Sequence, residues 1–379
     1  MKKAKFFIFF LVISLLLATP VFADDVYNEI SSSIKEELDI FKNSLPDFVL
    51  ELIPKEVFDG DFSSLSSEVL NEKGVIDIVL DFIFSGLVTV LKSFVAILVL
   101  LIISSLFSLL CNSFDNSALK NTLKLTTTIS ISLTVFNLCV SICKFSSAYL
   151  QVLCRVLNAF LPIMSTLGIM SGNVSSTILS ATTTTILISV VDSLLIVSML
   201  PLVKVCLSFS IIKPISNNSF AGISKTIRTI FTSVTVFIMS IFMFIFSSKN
   251  VLSQGADSLS IKTVRFAISS FVPIVGASIN DALRTVSTSL GVIKNSCGIL
   301  GIIVIALIML PVIINLVLNK LSFSLLSSIS KAIGCENEGE VLSEADSTCT
   351  FLLTLIACSC VLFIFALAIF MNSYVEVGV

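Results

Sequence analysis

Long apolar runs separated by short polar stretches dominate the chain. Seven runs are about 18 residues or longer, which is enough for a helix to cross a bilayer. They cover residues 94–111, 125–143, 149–170, 180–201, 226–247, 297–318 and 351–371. The pattern predicts an all-α, polytopic helical membrane protein with about seven transmembrane helices plus interfacial or re-entrant amphipathic helices. We expect the multi-pass domain to occupy residues 75–379.

The N-terminus has the three parts of a secretory signal. Lys2, Lys3 and Lys5 precede a short apolar core at residues 6–17, and small residues around Ala23 suit a cleavage site. The sequence predicts a cleaved signal peptide at 1–23, with an uncleaved anchor as the alternative. Residues 24–74 are rich in acids and carry a helical spacing of apolar residues. They are predicted to form an extracytoplasmic helical region.

Composition narrows the possible chemistry. Hydrophobic residues make up 55% of the chain, charged residues 13%, and mean hydropathy is +1.07. The chain contains neither histidine nor tryptophan. Without histidine, the Ser-His-Asp and Cys-His mechanisms are excluded, and the commonest transition-metal ligand is missing. No phosphate-binding glycine loop or dinucleotide fingerprint occurs. We therefore expect no enzymatic activity, no metal, no cofactor and no nucleic-acid partner.

The ten cysteines lie mostly within or beside the apolar runs. Such cysteines are typical of small packing residues. Cys335 and Cys349 fall in a loop predicted between the last two spans, where a disulfide is the alternative.

Residues 271–298 carry unusually many polar groups for a stretch between spans. Pro273 removes a backbone donor, and Gly276 permits a turn. The apolar spacing on either side predicts a helix, a break, an amphipathic helix and then a connector containing Lys294 and Asn295. Asp281 and Arg284 are three residues apart, so they can pair on one helix. The segment is either a surface amphipathic hairpin or part of a polar path or docking surface.

Asp192 lies within an apolar run, where a carboxylate is costly and suggests function. Arg155, in another apolar run, is a possible partner. The neighbouring threonines and serine at 182–185 and 189 are an alternative source of hydrogen bonds. The pair is interpreted either as a buried structural ion pair or as coupling groups of an autonomous permease or secondary transporter.

The passage from Phe271 through Gly276, Asp281-Ala282 and Lys294-Asn295 to Gly298 resembles the stage III sporulation protein AE family of endospore-forming bacteria. A second block, FLPIMSTLG at residues 160–168, is also similar to that family. The resemblance implies a membrane subunit of a channel or secretion-like complex that is required for spore development.

In that family the protein is expected in the mother-cell membrane around the forespore, in contact with the lipid bilayer. Its expected partners are other membrane proteins, ring-forming proteins and a separate ATPase subunit. The resemblance carries no catalytic residues. We therefore treat eight residues as candidates for a polar path or a docking surface: Arg155, Asp192, Pro273, Gly276, Asp281, Arg284, Lys294 and Asn295.

Overall fold

The computed structural model describes residues 35–51, 53, 55–58, 72–111, 117–212, 221–271 and 276–372. Regular secondary structure in these ranges is entirely helical, so the all-α prediction is confirmed. Three short helices come first: α1 at residues 35–44, α2 at Asp47–Leu50 and α3 at Lys55–Phe58. The predicted signal peptide lies outside the described residues.

Six long helical rods follow. They are α4 (Glu72–Cys111), α5 (Ser117–Met170), α6 (Val174–Val190) continuing through a π-helical turn (Val191–Ile196) into α7 (Val197–Ile212), α8 (Ala221–Phe271), α9 (Gly276–Ala332) and α10 (Glu336–Asn372). All six contain segments long and apolar enough to cross a membrane. The multi-pass prediction is therefore confirmed.

Two of the predicted spans, 125–143 and 149–170, belong to the single helix α5 of 54 residues. The polar residues between them include neither glycine nor proline, so nothing in that linker interrupts the backbone hydrogen bonds. At 1.5 Å per residue, α5 is about 81 Å long. The rod is more than twice as long as the roughly 30 Å hydrocarbon core of a bilayer is thick.

The sequence predicted a connector at residues 291–298. That prediction is wrong, because α9 runs through these residues without a break. Gly298 lies inside α9, at a point where α10 approaches closely. A Cβ on Gly298 would lie 2.1 Å from Cγ of Met371. Glycine therefore serves close helix packing at this point rather than a turn.

Consecutive rods run antiparallel, and two of the hairpins close in the same way. Gly172 after α5 has φ +88°, and Gly334 after α9 has φ +81°. The next residue then donates back to the helix: Asn173 N–H to Gly168 O at 3.1 Å, and Cys335 N–H to Ser330 O at 2.9 Å. This left-handed glycine cap reverses the chain within three residues.

The predicted loop carrying Cys335 and Cys349 is instead this tight turn and the first part of α10. Both cysteines are buried and free, so the disulfide alternative is wrong. Seven further cysteines are also free and are buried or half-buried, as predicted for packing residues: Cys139, Cys143, Cys154, Cys206, Cys297, Cys358 and Cys360.

The core lies where α5, α9 and α10 meet, and α1 packs onto it. Phe41 of α1 is fully buried, with its ring centroid 5.1 Å from that of Phe160 on α5. Glu37 of α1 accepts a hydrogen bond from Thr166 Oγ1 at 3.2 Å. Burial raises the pKa of Glu37, partly offset by this hydrogen bond.

Candidate functional site

One exposed face of α5 is polar within the apolar run at residues 149–170. Gln151, Arg155 and Asn158 follow each other at intervals of four and three residues, so they form a single stripe along the helix. All three side chains are exposed on the surface of the bundle. They lie within Thr122–Met170, the part of α5 that is long and apolar enough to cross a membrane. A face directed at acyl chains would be expected to carry apolar residues instead.

Asp192 lies on the neighbouring rod, in the π-helical turn that joins α6 to α7. The Val197 N–H donates to the carbonyl of Asp192, five residues earlier. A π turn inserts one extra residue into a helix and shifts the side chains that follow around its axis; such turns are frequent at functional sites. The carboxylate of Asp192 is exposed on the same side of the bundle as the stripe.

A cleft of about 510 Å³ separates the two helices. Its walls are Gln151, Cys154, Arg155 and Asn158 from α5, and Ile188, Ser189 and Asp192 from the other rod. The structure thus brings Arg155 and Asp192 to one cleft. Between these two described side chains there is no direct salt bridge, and both are open to the surroundings. The buried-ion-pair interpretation is therefore wrong for this single chain.

The alternative that nearby hydroxyls satisfy Asp192 is also wrong. Each hydroxyl instead donates to a backbone carbonyl four residues earlier on its own helix, at distances from 2.6 to 3.0 Å. These bonds involve Thr182, Thr183, Thr184, Thr185 and Ser189. Asp192 is consequently left to water or to a group outside this chain.

The other candidate residues lie elsewhere. Pro273 is outside the described residues, and Gly276 is the first residue of α9 after α8 ends at Phe271. Asp281 and Arg284 lie on α9, and Asn295 is exposed further along that helix. Lys294 is fully buried with its ammonium 5.5 Å from the ring centroid of Phe370. Lys294 therefore contributes to the packing of α9 against α10 rather than to the cleft.

Sequence reasoning missed a buried ion pair between α8 and α10. Arg228, 7% exposed, forms a salt bridge with the Glu344 carboxylate. Its other nitrogen donates to Thr348 Oγ1 at 3.0 Å and to the Glu344 carbonyl at 3.2 Å. The sequence shows one sign of this site: Glu344 and Thr348 are four residues apart, which places them on the same face of a helix. The pairing with α8 depends on how the helices pack.

A second buried acid, Glu338, joins three helices. Its Oε1 accepts hydrogen bonds from Ser104 on α4 at 3.0 Å and Thr128 on α5 at 2.7 Å. Both contacts are remote in sequence, so no local pattern predicts them. Within the described residues, no three His, Cys, Asp or Glu side chains cluster as metal ligands would.

The fold and the cleft define a class: a polytopic helical membrane protein with an exposed, charged cleft between two of its apolar helices. Residues 61–373 match the family model of stage III sporulation protein AE (spore_III_AE). The chain therefore belongs to the stage III sporulation protein AE family, as its sequence resemblance implied. It is also 20% identical, over 176 residues, to Stage III sporulation protein AE of Bacillus subtilis (strain 168).

That alignment covers 46% of this chain and 43% of the relative, so the chain spans less than half the length of the curated relative it matches. No solved structure matches the chain. The family membership supports a role in sporulation, and the six apolar helices indicate a multi-pass membrane protein.

Proposed function

We propose that this protein is a non-enzymatic integral membrane subunit of a transenvelope channel complex that links mother cell and forespore and is required for spore development. The family supplies the sporulation role. The proposed site of action is the mother-cell membrane around the forespore, with the N-terminal region extracytoplasmic. Other membrane and ring-forming proteins and a separate ATPase subunit are the proposed partners.

The exposed cleft between Arg155 and Asp192 is the observation that carries this proposal. A charged side chain at the centre of a spanning helix costs about 2.5–3.5 kcal/mol on insertion scales. Such residues normally face a bundle interior or a water-filled cavity. A single chain that leaves both charges on its surface is therefore suited to an assembly, in which a neighbouring subunit or an aqueous path covers the cleft.

The test is complementation of a clean gene deletion during sporulation. We expect the deletion to stop development after engulfment and the wild-type gene to restore it. Arg155→Gln and Asp192→Asn should each reduce the yield of heat-resistant spores, while Lys331→Gln and Asp81→Asn should not, because these two exposed charges lie away from the cleft. Normal sporulation in the deletion strain would refute the proposal.

Assembly is tested separately. Affinity-tagged protein, solubilised from sporulating cells, should co-purify with other envelope proteins of the complex, and the cleft variants should lower that yield while remaining stable in the membrane. If the cleft variants lose spore formation but keep full co-purification, the cleft serves conduction rather than docking.

The autonomous permease is the competing function, and the charged cleft is the feature that favours it. Purified protein in liposomes should then move a solute without other subunits, and Asp192→Asn should slow that movement. Flux by the isolated protein would refute the subunit proposal and support the permease. No flux across a broad panel of solutes, together with a sporulation defect, would support the subunit proposal.

A further inference from the structure

The cleft between α5 and the neighbouring rod carries both signs of charge on its surface. Arg155 supplies a cation and Asp192 an anion, and these two described side chains are exposed without a salt bridge between them. The amides of Gln151 and Asn158 flank Arg155 on the same helix face, and each amide can donate and accept hydrogen bonds. A matching surface must therefore offer an acid, a base and amides. A second copy of this chain offers all three, because it carries the same cleft.

The exposed face of α5 beside the cleft differs from a surface that contacts acyl chains. Ala148 and Pro162 extend the polar stripe at the same spacing, and α5 exposes no large apolar side chain between positions 148 and 162. On α4, by contrast, exposed positions carry large apolar residues such as Phe84 and Val88, which are 61% and 54% exposed. Small and polar side chains are typical of faces where membrane helices pack on one another. The composition of the α5 face therefore favours a protein contact.

The relative height of the two charges makes the cleft self-complementary. Asp192 interacts electrostatically with Cys154, the residue before Arg155, so both charges lie at about the same height along the bundle. Two copies that cross the membrane in the same direction are related by a twofold axis along the membrane normal. A half-turn about such an axis through the cleft preserves every height. It brings α5 of each copy opposite the Asp192 rod of the other, so each Arg155 faces an Asp192.

We propose that two copies of this chain associate through this cleft, with Arg155 of each copy forming a salt bridge to Asp192 of the other. The pairing rests on the proposed function, which already requires a neighbouring subunit or an aqueous path at the cleft, and it identifies that neighbour. Ser189 fits this arrangement, because its hydroxyl donates to the Thr185 carbonyl at 3.0 Å and keeps its lone pairs for a donor in the cleft. The amides of the second copy provide such donors.

Like charges limit the interface on one side. Lys204 interacts electrostatically with Cys143, the residue before Lys144, and both lysines are exposed. The same half-turn would therefore bring Lys144 of each copy toward Lys204 of the other. The contact consequently extends from the cleft in the opposite direction, toward the uncharged side chains of Pro162 and Thr185.

Charge reversal in full-length protein tests the pairing. Two wild-type copies with different affinity tags, expressed in one cell and solubilised in mild detergent, should co-purify. Arg155→Asp and Asp192→Arg should each lower this self-association by more than about tenfold, because either change places like charges opposite each other in both salt bridges. When the two variants are expressed together, opposite charges meet in both salt bridges, and co-purification should return to the wild-type yield. Asp81→Arg and Lys331→Asp are the matched controls, since these exposed charges lie outside the cleft, and both should self-associate normally.

The double variant Arg155→Asp/Asp192→Arg extends the test if a single variant does not accumulate in the membrane. Its copies should associate with each other but not with wild type. Gel filtration must show that every variant compared is monodisperse. Wild-type copies that do not co-purify, or complementary variants that stay apart although each is folded, would overturn the pairing.

Sporulation separates this inference from the proposed function. If wild-type copies do not associate but Arg155→Gln and Asp192→Asn still reduce spore yield, the twofold pairing is refuted and the proposed function stands. If the copies associate as described and the deletion strain sporulates normally, the pairing is supported and the proposed function is refuted.

Discussion

A close helix approach in the core, at Gly301, gives the sharpest stability prediction. Gly301 of α9 faces α5 and α10, and a Cβ built there would lie 2.6 Å from Cε1 of Phe160 and 2.9 Å from Cδ1 of Leu367. Neither neighbour has free space, because Phe160 is buried against Phe41 and Leu367 is fully buried. We therefore expect Gly301→Ala to destabilise the bundle, although alanine is the better helix former.

The magnitude follows from two opposing effects. Adding a methyl group to a tightly packed core costs about 1–3 kcal/mol. Replacing glycine by alanine inside a helix contributes up to about 1 kcal/mol of stability. The net expectation is a loss of up to about 2 kcal/mol. Gly222 on α8 is the matched control, because a Cβ there meets nothing within 4 Å. Gly222→Ala should be neutral or stabilising.

Thermal unfolding in detergent can be followed with a fluorogenic thiol dye, because Cys139 and Cys297 are buried and free in the folded protein. Gly301→Ala should lower the melting temperature, and Gly222→Ala should leave it unchanged or raise it. Combining Gly301→Ala with Phe160→Leu should cost less than the sum of the two single changes, since the smaller side chain relieves the contact. A melting temperature raised by Gly301→Ala would refute the packing argument.

Three further predictions use the same assay. Glu344→Gln should destabilise the protein by about 3–5 kcal/mol, because it leaves Arg228 charged and without its carboxylate partner. Phe41→Ala should cost about 3–5 kcal/mol, because the side chain is fully buried, whereas Ile40→Ala, at a position 54% exposed, should cost little. Glu37→Gln should stabilise the protein at neutral pH and flatten its pH profile, because burial raises the pKa of Glu37 above 4.5.

The sign of the last effect follows from proton linkage. A carboxyl group with a raised pKa binds its proton more tightly in the folded state than in the unfolded state. Its favourable contribution is therefore present below pH 4.5 and is lost as pH rises through the folded pKa of Glu37. Unfolding midpoints between pH 4 and 8 should fall in wild type and fall less in Glu37→Gln. Parallel profiles would contradict the assignment to Glu37.

Equal destabilisation by Phe41→Ala and Ile40→Ala would show that α1 does not dock as described.

Much of the candidate site was visible in the sequence. Asp192 and Arg155 stood out because charge within an apolar run is costly in any membrane fold, whatever the packing. The helix break before Gly276 was predictable because proline and glycine act locally on the backbone. The hydroxyls around Asp192 misled the prediction, since threonine can bond its own helix as readily as a neighbour.

The amino-acid sequence by itself determined that this chain is helical and membrane-embedded, because the length and apolar character of its runs act locally and need no partner. Only the tertiary structure decided that Arg155 and Asp192 share one open cleft and that Glu344 pairs with Arg228. Such contacts depend on the relative height and rotation of long helices, which the close packing around Gly301 and the tight turn at Gly334 help to fix. Periodicity identifies the face of a helix, but it does not identify the helix that the face meets.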